Sequence, residues 1–167
     1  MNSAVHLAPV LYGLPLGIDV LRAEAACEGH RFLERLVTEW ISHRQRFARE
    51  GEVLLAAYVG SELAGIGGMT IDSAVMGALR MRRFYVRPSL RHRGIGRKLA
   101  LSLLERSQSL ECQVMVNAGT ADASAFWEAL GFMPDPCNGH THIFHPRNSC
   151  WRPHVSPSGG AISRERS

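Results

Sequence analysis

The sequence predicts an α/β (α+β) domain in which helices pack on one central, mostly antiparallel mixed sheet. Three observations carry that expectation. Phe32, Leu33, Leu36, Val37, Trp40 and Ile41 recur as one amphipathic helical stripe. Three apolar runs follow, Glu52 to Val59, Leu63 to Ile71 and Leu79 to Arg87, and read as a strand meander. Beyond Pro88 the chain alternates helix, strand, helix, strand as far as Phe144.

Taken in order, the elements begin with a short strand around Val5 to Val10, which Pro9 weakens. Val20, Leu21, Ala25 and Ala26 then recur at helical spacing, and Gly29 marks a break. The stripe from Phe32 predicts a helix reaching toward Gly51, its last turn carrying Arg44, Arg46 and Arg49, where cations suit the helix dipole. Gly60-Ser61-Glu62 connects the first two meander strands as a hairpin. Gly65, Gly67 and Gly68 predict a bulge or a close backbone approach in the second of them. Ile95, Leu99, Leu103 and Leu104 share one helical face, and Glu111 to Val116 reads as a strand. Thr120 opens a helix that Gly131 terminates, and His140 to Phe144 closes the fold.

A chain of 167 residues suits one domain, expected over residues 1–146, with 147–167 as a mobile tail lacking periodicity. No apolar run approaches the roughly 20 residues of a membrane span, and the N-terminus lacks the pattern of a signal peptide. No membrane association and a cytoplasmic location are therefore expected. The four cysteines form no CxxC pair, which argues against a disulfide framework. The net charge of +4 comes from scattered arginines, so no nucleic-acid partner is expected. An anionic cofactor accounts for the excess as well.

The segment Phe84-Tyr85-Val86-Arg87-Pro88-Ser89-Leu90-Arg91-His92-Arg93-Gly94-Ile95-Gly96-Arg97 carries the most chemistry. A strand runs into a glycine-rich turn that opens a helix. Amides at a helix start have no intrahelical acceptor and sit at the positive end of the dipole, so they favour an anion. Gly94 and Gly96 allow close approach of a pyrophosphate, and Arg91, Arg93 and Arg97 add mobile positive charge. The bland alternative is an exposed loop before a surface helix.

Arg91-x-x-Gly94-x-Gly96, preceded by Val86-x-Pro88, resembles the phosphate-binding signature of the GNAT acetyltransferases. Ala123, Phe126, Trp127, Leu130, Gly131 and Phe132 resemble the family's helix beside the cofactor arm. The resemblance implies the GNAT fold, acetyl-CoA as co-substrate without a metal, and acetyl transfer to a small-molecule or peptide amine. It implies that the backbone of Phe84, Tyr85 and Val86 pairs with the pantetheine arm. An amide at or near Val86 would polarise the thioester carbonyl, and the amides of His92 to Arg97, Ile95 included, would hold the pyrophosphate. A non-catalytic acyl-CoA sensor is the alternative, and a monomer or a homodimer suits either.

Two positions depart from the family pattern. Thr120 stands where Asn is frequent, and reads either as a cofactor contact or as a plain helix cap. Trp127 replaces the usual tyrosine, and an indole N–H has no useful acidity near neutral pH. Tyr85 is a candidate hydroxyl in its place. Strand alternation predicts that Arg82 and Arg83 face opposite sides of the sheet. One of them would then meet an acceptor carboxylate or a glutamate of the first two helices. Glu28, His30 and Glu34 lie where acceptor sites are often built, although each also reads as a solvated helix residue. Cys137, His140, His142 and His145 suggest a metal, but they crowd one short strand, and no metal site is expected.

Overall fold

The computed structural model describes residues 4–146. Its elements are β1 (Val5–Pro9), α1 (Ile18–Cys27), α2 (Phe32–Ile41), β2 (Val53–Val59), β3 (Glu62–Ile71), β4 (Leu79–Val86), a 3-10 turn (Pro88–Leu90), α3 (Ile95–Ser109), β5 (Val114–Val116), α4 (Ala121–Ala129), β6 (Met133–Cys137) and β7 (His140–Phe144). The seven strands form one sheet in the order β1-β2-β3-β4-β5-β7-β6, parallel only between β4 and β5. The predicted mixed, mostly antiparallel sheet is therefore present. The expected tail, 147–167, lies outside the described residues.

Helices cover both faces. Leu21 and Ala25 of α1 pack with Leu33, Leu36 and Trp40 of α2 over Leu54, Ile66 and Tyr85 of the sheet. Leu103 and Leu104 of α3 and Trp127 of α4 cover Met69, Met81 and Val114 on the other face. Leu21, Leu33, Leu36, Leu99 and Leu103 are fully buried, and truncating any one of them to Ala typically costs about 2–5 kcal/mol. In α1 the inward residues are Ile18, Leu21 and Ala25, whereas Val20 and Ala26 of the sequence stripe face solvent.

The helix expected to reach Gly51 ends at Ile41 instead. His43 and Phe47 take left-handed backbone, with φ of 58° and 52°, which a continuous helix cannot accommodate. Arg46 Nε donates to the Trp40 carbonyl at 3.0 Å, capping the helix from the loop. Phe47 turns inward beneath Gly68, where an added Cβ would lie 2.5 Å from its ring. Strand β5 starts at Val114, after Glu111 takes φ 54°. The sequence pattern does not predict β6. Pro134 and Pro136 suppress its strand signal, and its edge position makes both tolerable.

Candidate active site

Strand β4 is the backbone of the site. It pairs with β5 only at Leu79↔Val114 and Arg80↔Met115. From Met81 to Val86 the β4 edge on that side has no strand partner, so the sheet opens there. On the other side, the register with β3 jumps from Gly68↔Arg82 to Ile66↔Tyr85. Arg83 and Phe84 thus share the single position opposite Gly67, a bulge with Arg83 at φ 55°. Gly67 is required, because a Cβ there would lie 2.6 Å from the Phe84 ring. Arg87 donates its amide to Ala64 of β3 at 2.9 Å, so strand alternation turns the amides of Val86 and Phe84 toward the open edge.

The bulge overturns the expectation that Arg82 and Arg83 face opposite sides. The inserted residue resets the alternation, and both guanidinium groups turn to the α1/α2 face. Arg83 Nη2 donates to Glu39 of α2 at 2.8 Å, and Arg82 Nε donates to Thr70 Oγ1 at 3.0 Å. Of the two readings for the pair, Arg83 takes the internal glutamate.

The loop after β4 builds an anion cradle. His92 and Gly94 adopt φ of 60° and 78°, and Gly94 caps α3 without a side-chain bond. The first helical closure is Lys98 N–H to the Gly94 carbonyl at 2.9 Å. The amides of Ile95, Gly96 and Arg97 precede that bond and need an outside acceptor. Gly94 has open space around its missing Cβ, whereas a Cβ added at Gly96 would lie 3.4 Å from the Phe126 ring. These are features that fit a diphosphate.

The three arginines of the loop divide. Arg93 and Arg97 are exposed and form no ion pair among the described residues. Arg91 is not mobile, contrary to the sequence expectation. Its Nη1 and Nη2 donate to the two Glu28 oxygens, each at 2.7 Å, and its Nε donates to the Val86 carbonyl at 3.0 Å. Tyr85 donates its hydroxyl to the same carboxylate at 2.6 Å. Hydrogen bonding from Arg91, aided by Tyr85, lowers the Glu28 pKa to about 2. Burial, then the hydrogen bond to Glu28, pushes the Tyr85 phenol well above its ordinary value. Arg87, which the sequence did not single out, pairs with Glu24 at 2.7 Å and with Glu62. His30 is exposed and packs its ring on Phe32 at 5.3 Å, beside the Glu28 clasp.

On α4, Thr120 is the N-cap, its hydroxyl accepting from the Ala123 amide at 3.1 Å. Trp127 is buried among Phe84, Phe126 and Phe132, with ring centroids 5.0, 4.9 and 5.1 Å away. Of the described histidines, only His140 gathers possible metal ligands. Its Nε2 lies 3.1 Å from Asp135 Oδ2 and 3.7 Å from Cys137 Sγ. His142 meets Glu128 instead, and His145 meets Gln113. The buried Nδ1 of His140 has no partner, whereas a ligating histidine normally donates from its second nitrogen. A hydrogen-bonded knot fits these atoms better than a metal centre. Surface concavities of about 260 Å³ beside Pro9 to Gly13 and about 390 Å³ around Gly51 and Leu79 do not border the α3 loop. No described helix is long and apolar enough to cross a membrane.

The model of the acetyltransferase (GNAT) domain family matches residues 20–139. No curated protein matches the sequence. Among solved structures, a protein from Exiguobacterium sp. 255-15, described as an acetyltransferase, is similar at 23% identity and a TM-score of 0.75, over 85% of this chain and 93% of that one. A GNAT-family protein from Desulfovibrio desulfuricans aligns at 18% identity and a TM-score of 0.66, covering 85% and 99%. The glucosamine-6-phosphate N-acetyltransferase of Arabidopsis thaliana aligns at 14% identity and a TM-score of 0.56, covering 80% and 95%.

Proposed function

Since the chain belongs to the GNAT family of acetyltransferases, we propose that it moves an acetyl group from acetyl-CoA to a primary amine by direct attack. One observation carries this reading. The first-turn amides of α3, left without acceptors by the Gly94 cap, stand at the end of the unpaired β4 edge.

In this arrangement the amides of His92 to Arg97 hold the pyrophosphate, and the exposed guanidinium groups of Arg93 and Arg97 balance its charge. The edge from Phe84 through Tyr85 to Val86 hydrogen-bonds the pantetheine arm as an added strand would. Thr120 and Trp127 flank that arm from α4. When bound, acetyl-CoA supplies the activated acyl group and a thiol leaving group. The Val86 amide donates to the thioester carbonyl oxygen as negative charge grows on it. The C–N bond forms first, its electrons displacing the carbonyl π pair onto that oxygen; the returning pair then breaks the C–S bond, and the ammonium proton passes to the thiolate directly or through water. Tyr85 is a poor proton donor for that step, because its hydroxyl is already bonded to Glu28 and its pKa is raised. It holds Glu28 in place. Glu28, His30 and Arg83 border the acceptor side, and the enzyme works in the cytoplasm as a monomer or homodimer.

Trp127 favours a second reading, an acyl-CoA sensor, since no acidic hydroxyl stands at its place. An acetyl-CoA turnover assay across a panel of amines, following free thiol, separates the two. Thiol release dependent on an amine supports the transferase; binding of acetyl-CoA without turnover of any amine supports the sensor.

A further inference from the structure

Five arginines, Arg80, Arg82, Arg83, Arg87 and Arg91, lie on or just after β4, and four of them are neutralised. Arg80 meets Asp72 at 2.6 Å, Arg83 meets Glu39, Arg87 meets Glu24 and Glu62, and Arg91 meets Glu28. Arg82 alone among them has no carboxylate within the described residues. Its Nε is held by Thr70, which fixes the plane of the group. Among the described residues its two terminal nitrogens have no hydrogen-bond partner. Burial and the neighbouring charges of Arg80 and Arg83 lower its pKa. Such a cation is unfavourable unless an anion joins it. Beside it, the side chain of Arg83 is 9% exposed, and its buried Nε also has no partner.

The position of this fork matters as much as its charge. From Val86 back to Arg82 the β4 edge spans about 10 Å, three strand rises because the bulge adds a residue and no length, measured away from the phosphate cradle. An extended arm entering at the α3 loop therefore brings its acyl end beside the bulge that carries Arg82 and Arg83. The bulge turns both cations to the α1/α2 face, next to the open edge. We propose that Arg82, backed by Arg83, binds an oxyanion on the acceptor, so that the substrate is a primary amine carrying a carboxylate or a phosphate. A planar guanidinium with two free nitrogens takes either group bidentately. This proposal rests on the acetyl-transfer reading for the role of the amine, but the anion site can be tested separately.

The test is calorimetric titration of the full chain saturated with CoA, which cannot react. The probes are α-amino acids against their methyl esters, and phosphoethanolamine against ethanolamine. Each anionic probe is expected to bind about ten- to a hundredfold tighter than its neutral partner, as a charge-assisted hydrogen-bonded pair requires. The larger of the two preferences tells carboxylate from phosphate. Arg82→Gln should abolish the preference and leave CoA affinity intact. Should Arg82→Gln fail to fold, Arg82→Lys keeps the charge, loses the fork and should weaken the preference. Equal binding of anionic and neutral probes, or a preference that survives both substitutions, overturns the proposal. Thiol release from acetyl-CoA is measured in parallel. An anion preference without thiol release keeps the site and overturns acetyl transfer, whereas thiol release without a preference does the reverse.

Discussion

Arg91 grips Glu28 through both terminal nitrogens, each at 2.7 Å, and so ties the first residue of the phosphate loop to the C-cap of α1. Tyr85 adds a third bond to the carboxylate, and its ring lies under the guanidinium, 5.4 Å from centroid to Cζ. The clasp joins the end of α1 to β4 and to the loop that follows it, 57 and 63 residues further along the chain. It fixes where the loop leaves β4, because the same arginine also holds the Val86 carbonyl.

The clasp predicts a pH dependence. The Glu28 pKa falls from 4.5 to about 2 in the folded chain, first through Arg91. A depressed carboxyl contributes its stability fully above the unfolded pKa and loses it as pH falls through the folded one. The window is therefore from about pH 4.5 down to about pH 2. The carboxylate is partly exposed, so solvent screening limits the effect to about 1 kcal/mol. Urea midpoints measured at about pH 5 and about pH 3 should differ less in Glu28→Gln than in wild type. Equal differences would mean that the clasp contributes nothing to folding.

The cradle predicts two different glycine phenotypes. Gly94 sits at φ 78° with nothing within 4 Å of the place a Cβ would take, so Gly94→Ala should cost about 1–2 kcal/mol through backbone strain alone. Gly96→Val pushes branched carbons into the Phe126 ring, which already lies 3.4 Å from a Cβ. It should abolish the rise in melting temperature that acetyl-CoA gives the wild type. An undiminished rise in Gly96→Val would remove the pyrophosphate from this turn.

Much of this was legible in the sequence. The Gly94-x-Gly96 turn between a strand and the Ile95, Leu99, Leu103, Leu104 face is a local pattern, and it forms as read. The glycines of β3 announced close approach, and Phe84 and Phe47 are the side chains that approach. What could not be read were long-range pairings. Nothing in sequence joins Glu28 to Arg91, and for Arg83 it offers a glutamate of the first two helices without singling out Glu39, because helix faces choose their partners only after docking on the sheet. The Arg82-Arg83 doublet misled for a local reason. Strand alternation holds until an inserted residue resets it, and Gly67 on the neighbouring strand leaves the room that the Phe84 ring occupies there.

Gly68 offers a test of the core beneath the site. A Cβ there would lie 2.5 Å from the Phe47 ring and 3.1 Å from Leu54. Gly68→Ala should therefore destabilise by about 1–3 kcal/mol, as overpacking usually does. A second substitution, Phe47→Leu, made in the same chain, should recover part of the loss by removing the ring. Denaturant unfolding of the single and double variants measures the coupling, and strictly additive effects would show that the two residues do not meet.

Trp127 decides between packing and proton transfer. Its ring touches Phe84 of β4, Phe126 beside Gly96, and Phe132 beyond the helix, and 4% of the residue is exposed. Trp127→Ala should cost about 3–5 kcal/mol by opening a cavity in this cluster, so any loss of acetyl-CoA binding must be measured below the new melting transition. Trp127→Phe keeps one aromatic ring and removes the pyrrole ring with its N–H. An indole has no proton to give near neutral pH, so this variant should retain most of the wild-type kcat with an accepted amine. Trp127→Tyr places a phenolic hydroxyl on α4, and it raises kcat if that oxygen reaches the leaving sulfur. Steady-state kinetics on Trp127→Phe is the deciding measurement. A fall in kcat of about a hundredfold or more, the scale of general acid catalysis, with unchanged acetyl-CoA affinity, would show that the indole acts in the chemical step. A retained kcat leaves the thiolate proton to the attacking ammonium, which needs no residue of the chain as its donor.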